Sequence, residues 1–245
     1  MLVLLYTVAI VLGLTVGPVL HHIAVSTSTR TPIGTPFGAC RDCDVPRPLP
    51  YVTCPNGHAG QLRERWWSLA YAAVFAGTVT VTGVSSEVTA YLVFAGVTLT
   101  LIITDLDEKL IPNKVLYPGG AVAIVLLIIE AAVSDRVSRL LPSLAAGAGY
   151  YLVFLGVHLL NREGFGMGDV KLAFLLGFFA MFDSLRIFLL GVFFTGFIGG
   201  LPAIVLLVMR RVGPKYAIPY GPAMVLGAWA AIAFGEPFLG WYLAR

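Results

Sequence analysis

Two aspartates stand where a carboxylate is costly. Asp105 follows the apolar run from Tyr91 to Thr104 and opens Asp105-Leu-Asp-Glu-Lys-Leu-Ile-Pro-Asn113. Asp169 ends Gly164-Phe-Gly-Met-Gly-Asp169 and is followed directly by Val-Lys-Leu-Ala-Phe. A charge at a helix end often just reaches the membrane interface, and most acids here fit that reading: Glu87, Glu130, Asp135, Asp183 and Glu236 at outer ends, Asp107, Glu108 and Glu163 in inner loops. Asp105 and Asp169 differ because each ends or opens an apolar segment at the same expected face. The glycines before Asp169 also free the backbone to bend and to approach another chain closely. Two carboxylates brought together cannot both ionise, so they share one proton. The basic member activates a water that attacks a peptide carbonyl; the acidic member protonates the developing oxyanion. Those roles belong to the coupled pair, not to either residue alone. No rival catalytic set is present: there is no Gly-x-Ser-x-Gly and no His-Glu-x-x-His, and His21, His22 and His158 read as interfacial residues.

A second group could hold a metal. All three cysteines fall in Cys40-Arg-Asp-Cys43 and Cys54-Pro-Asn-Gly57-His58, and His58 completes a Cys3His set of the kind that binds structural zinc. The second half is looser than a Cys-x2-Cys pair, so a metal-free loop with free thiols stands beside the zinc reading. An odd cysteine count in a cytoplasmic loop argues against a disulfide.

The elements that must position these residues are membrane helices. The chain has 245 residues, 58% of them hydrophobic and 12% charged, with a mean hydropathy of +0.87. Soluble domains carry about 25% charged residues, so a soluble enzyme is excluded. The 27 Gly and 15 Pro show no period, which excludes a collagen-like chain. A net charge of +3 is too small and dispersed for nucleic-acid binding. Spans are expected at 2–20, 67–84, 86–104, 115–133, 140–160, 169–183, 186–209 and 222–243. The sixth is short, and re-entrant if taken alone. Eight alternating spans with both termini outside place 12 of the 16 basic residues in inner loops, which is the asymmetry of cytoplasmic segments. The expected fold is thus an all-α polytopic membrane protein with about eight transmembrane helices. Its organisation is a first transmembrane helix at 1–20, a small cytoplasmic cysteine-containing loop domain at 21–66, and a membrane core at 67–245. The first span lacks a basic n-region and a small-x-small cleavage site, so it reads as a retained anchor. No internal repeat at a fixed period is visible.

Thr104-Asp105-Leu-Asp-Glu-Lys-Leu-Ile-Pro112 and Gly166-Met-Gly168-Asp169-Val-Lys171 together resemble the paired motifs of type IV prepilin leader peptidases, the bacterial branch of the Gly-x-Gly-Asp intramembrane aspartyl proteases. Ile218-Pro219-Tyr220-Gly221-Pro222 resembles that family's third marker, and the likeness covers essentially the whole chain. The resemblance implies an inner-membrane, multi-pass endopeptidase that cleaves prepilins or pseudopilins at the cytoplasmic face, after a short basic leader. Its partners are those substrates and membrane lipid, and proteolysis needs no cofactor. Asp105 and Asp169 match the catalytic pair, Gly166 and Gly168 the glycines that shape the site, and Pro219 and Gly221 a segment that helps hold substrate; Asp107 is the nearest decoy. Many members also methylate the new amino terminus with S-adenosylmethionine, an activity associated with the cysteine loop. Here Gly57 replaces the last cysteine, and Ala70 stands where a carboxylate is usual. Those departures leave methyl transfer open. Two other classes remain beside the peptidase: an ion- or proton-coupled transporter using the aspartates as a relay, and a noncatalytic pilus assembly factor.

Overall fold

A computed structural model describes residues 1–28, 61–160, 162, 165–201 and 220–244. Among them there is no strand, and eight α-helices fall where the eight spans are expected. They are α1 (Leu2–Ser28), α2 (Gln61–Thr82), α3 (Val88–Glu108), α4 (Asn113–Val133), α5 (Leu140–Leu160), α6 (Met167–Asp183), α7 (Leu185–Thr195) and α8 (Gly221–Leu243). A π-helical turn, Gly196–Gly200, continues α7. Stretches long and apolar enough to cross a membrane are Leu2–Ile23, Val88–Asp107, Asn113–Val133, Val137–Leu160 and Gly221–Tyr242. The protein is therefore an all-α, polytopic membrane protein.

Helices α1 and α2 run past the expected edges of the loop domain, to Ser28 and from Gln61. Hydropathy marks where hydrocarbon ends, whereas a helix continues for as long as its backbone bonds are worth making. The rest of that loop domain lies outside the described residues, and with it Cys40, Cys43, Cys54 and His58; so do Pro219 and the end of the expected span 186–209.

Local chemistry sets the helix ends. Gly83, at φ 63°, closes α2 by donating its N–H to the Val79 carbonyl at 2.9 Å. Lys109 takes the same left-handed conformation, φ 53°, where α3 stops ahead of Pro112. Ser184 caps α7, its hydroxyl accepting from the Ile187 N–H at 3.2 Å.

The chain divides into two compact units, 1–108 with 112–130, and 109–111 with 131–245. In the first unit α1 packs on α2 and α3. Gly13 and Gly17, one turn apart, let α1 approach α2 closely: a Cβ at Gly13 would meet the Ala72 nitrogen at 2.6 Å, and one at Gly17 the Tyr71 Cβ at 3.0 Å. This is the small-residue contact by which helices associate in lipid. In the second unit α6 packs against α5, α7 and α8. With 17 residues it is about 25 Å long, shorter than the hydrocarbon core of about 30 Å. Eleven of those residues are buried, from Asp169 to Phe182, so α6 meets protein rather than lipid on most sides.

Candidate active site

The second unit explains residue by residue why Asp169 is preceded by glycines. Gly166 is the N-cap of α6, with an extended backbone at φ −75° and ψ 143°, and Asp169 sits in the first helical turn. The side chain folds back over the cap: a Cβ on Gly166 would lie 3.2 Å from Asp169 Oδ2. Gly168 serves a different neighbour. A Cβ there would stand 2.7 Å from the Cβ of Ile111, closer than carbon atoms pack, so the bare backbone is what admits that residue. Ile111 belongs to the Leu-Ile-Pro that follows the first aspartate in sequence, and Lys109–Ile111 is grouped with this unit. Within this unit, then, the Ile111 side chain packs on the bare Gly168 backbone. Asp169 is buried at 8% exposure while Gly166 is exposed, so the carboxylate lies just beneath the protein surface.

Asp105 belongs to the first unit, in the last turn of α3, and is buried at 5% exposure. Asp107, two residues on, is exposed. A two-residue step on a helix turns through about 200°, which puts the decoy on the opposite face. The hydroxyls approaching Asp105 are satisfied within their own helix: Thr98 donates to the Phe94 carbonyl at 2.8 Å, Thr100 to Gly96 at 2.7 Å and Thr104 to Leu101 at 3.0 Å. Such back-bonding lets threonines line an apolar interior without an unmet donor. Tyr71 of α2 adds a 2.8 Å hydrogen bond to the Thr100 hydroxyl.

Three contributors to the Asp169 region escape sequence reasoning. His158, read above as interfacial, places Nδ1 2.6 Å from the Phe165 carbonyl; a carbonyl only accepts, so Nδ1 carries the proton. That bond ties the end of α5 to the residue before Gly166. Tyr220, immediately before Gly221 and α8, lies between the Phe165 ring (centroids 5.3 Å apart) and the π-helical turn after α7. Burial, and then the nearby Asp169 carboxylate, push its phenol above the ordinary range. Ile111 is the third. Tyr220 and Ile111 left a trace in the sequence, as residues inside the third and first markers, but without a role. Among the described residues, no three His, Cys, Asp or Glu side chains are grouped to hold a metal ion.

Residues 92–204, which include both aspartates and both glycines, match the type IV leader peptidase family. A prepilin leader peptidase/N-methyltransferase of Aeromonas hydrophila is 29% identical over 218 residues, covering 85% of this chain and 66% of that protein. One from Aeromonas salmonicida (strain A449) is 30% identical over 162 residues, covering 63% and 52%. One from Bacillus subtilis (strain 168) is 27% identical over 176 residues, covering 71% and 67%. The chain thus spans about half to two thirds of the length of these relatives. No solved structure matches it. Over residues 92–204 the chain is thus similar to the type IV leader peptidase family, and that stretch carries both the Gly-x-Gly-Asp turn built around its carboxylate and the buried aspartate in the last turn of α3.

Proposed function

We propose that the protein is a membrane-embedded aspartic endopeptidase that removes the leader of prepilins or pseudopilins, with Asp105 and Asp169 as its catalytic pair. One observation carries the reading. Among the described residues the buried acids are Glu87, Asp105 and Asp169, and Glu87 precedes the far end of α3, about 26 Å of helix from Asp105. Two acids are therefore left for the chemistry, and they are the two at the motif positions. One carboxylate takes a proton from water as it attacks the scissile carbonyl while its protonated partner donates to the oxyanion. On collapse of the diol the proton taken from water passes to the departing amine, and a diol hydroxyl returns its proton to the partner.

The relatives' name, prepilin leader peptidase, supports the substrate class. The basic residues of the loops support the inner membrane and a cytoplasmic site. Similarity to the type IV leader peptidase family over residues 92–204 favours proteolysis over the transporter. Methyl transfer stands outside the proposal, because Gly57 and Ala70 replace groups that the activity is associated with.

The test is cleavage of a prepilin-like peptide by detergent-purified protein, with products weighed by mass spectrometry. Asp105→Asn and Asp169→Asn should each abolish cleavage and leave the protein folded, since Asn has the same shape but cannot share the proton. Full activity in either variant refutes the pair. A product heavier by one methyl group in the presence of S-adenosylmethionine would restore the second activity.

A further inference from the structure

We propose that Tyr220 is a positioning residue for Asp169, seated by the bare backbone of Gly199 and holding the Phe165–Gly166 turn beneath the carboxylate. The proposal rests on the reading of Asp169 as half of the catalytic pair. Its basis is a chain of contacts within the second unit.

The π-helical turn Gly196–Gly200 continues α7, and π turns in helices recur at functional sites. Gly199 is the buried residue of that turn. A Cβ there would collide with Tyr220 Cε2 and stand 2.9 Å from both Cζ and the Ala223 Cβ of α8, so the ring fills space that any other residue would occupy. The phenol donates to the Thr195 carbonyl at 3.3 Å, at the junction of α7 and the π turn. On its other side the ring meets Phe165 at 5.3 Å and Phe154 of α5 at 6.1 Å, and Phe154 meets Phe165 at 5.2 Å. The next residue along the chain, Gly166, lies against Asp169 Oδ2.

Phe165 is thus held twice, its ring by Tyr220 and Phe154 and its carbonyl by His158. Glycine-rich backbone has no side chains of its own to fix it, and an external clamp supplies what the motif lacks. The titratable groups bearing on the Tyr220 phenol are Asp169 of α6 and Tyr150 of α5.

Peptide cleavage by four variants tests this. Gly199→Ala and Tyr220→Ala should each lower kcat about a hundredfold with KM unchanged, the loss expected when a reacting group is displaced by about an ångström. Tyr220→Phe, which keeps the ring and loses one long hydrogen bond, should stay within about threefold of the parent. In an Ala223→Gly background, which removes the other atom that a Cβ at Gly199 would meet, the double variant Gly199→Ala/Tyr220→Ala should be no worse than Tyr220→Ala. Losses that multiply in the double variant overturn the proposal, as does a rise in KM at constant kcat, which would make Tyr220 a substrate contact. A parent that cuts no peptide refutes the peptidase reading instead. The clamp is then read from ultraviolet titration of the phenol, assigned by difference from Tyr220→Phe: Asp169→Asn should move it to lower pH, and an unmoved titration overturns the proposal.

Discussion

The two motif aspartates are held by different means. Asp105 rides in the last turn of a helix of 21 residues, where threonines bond their own backbone and Tyr71 braces Thr100. Asp169 opens a helix of 17 residues, and its surroundings are neighbours pressed against bare glycine: Ile111 on Gly168, and the carboxylate itself on Gly166. One position is a property of helix continuity, the other of backbone contact. A continuous helix absorbs the loss of one side-chain bond, whereas a contact built on missing Cβ atoms absorbs almost nothing, since packed interiors have little slack.

The largest expected effect follows directly. Gly168→Ala drives its new methyl into the Cβ of Ile111, and peptide cleavage should fall about a hundredfold. The clash is with a Cβ, so Ile111→Gly should recover much of the activity and Ile111→Ala none. Thr104→Val in the first unit removes a hydroxyl that bonds only its own helix, at Leu101, and activity should stay within about threefold. Equal losses from Gly168→Ala and Thr104→Val would erase the contrast between the two seats.

The same contrast decides what the sequence made legible. Most helix positions could be read from apolar runs of about 20 residues, and the short α6 only through the charge alternation of the loops around it; the eight described α-helices lie at the expected spans. Asp105 and Asp169 stood out because a carboxylate beside such a run needs a reason. Asp107 could be set aside by its expected place in an inner loop and by the resemblance; the structure puts it in the last turn of α3, exposed. What could not be read are partners distant in sequence. Nothing in Gly196-Phe-Ile-Gly-Gly200 announces a π turn fitted to Tyr220, and nothing near His158 points to the Phe165 carbonyl. The Gly13 and Gly17 contact with α2 was legible in principle as a one-turn spacing, but it passes unnoticed among 27 glycines.

A mid-sized effect sharpens the comparison from the first unit. Gly13→Ala forces a methyl onto the Ala72 backbone, which cannot move aside, and should lower stability by about 1–3 kcal/mol in a detergent melt. Gly77→Ala, on α2 with nothing within 4 Å of its new methyl, should be neutral or stabilise by up to about 1 kcal/mol. Neither should change kcat per folded molecule, because Gly13 reaches the Asp105 helix only through Tyr71 and Thr100, more than a turn before the carboxylate, and Gly77 meets nothing. A fall in kcat for Gly13→Ala at unchanged folded fraction would show that the first unit also positions its aspartate through glycine packing.

The smallest effect concerns Tyr220 at alkaline pH. A tyrosine ordinarily ionises near pH 10, and burial together with the Asp169 carboxylate raises that value in the folded chain. Between the ordinary value and the raised one the folded state holds a proton that the unfolded state has lost, so stability must fall as pH rises through that window. Below about pH 10 both states are protonated and the contribution is fully present. Parent and Tyr220→Phe should therefore give parallel stability curves up to about pH 10, after which the parent declines more steeply. Asp169→Asn should narrow the window without closing it, since burial is the larger cause and survives that change. Curves that stay parallel at every pH would mean the phenol ionises as freely folded as unfolded, and the seat between Gly199 and Phe165 would then be open to water.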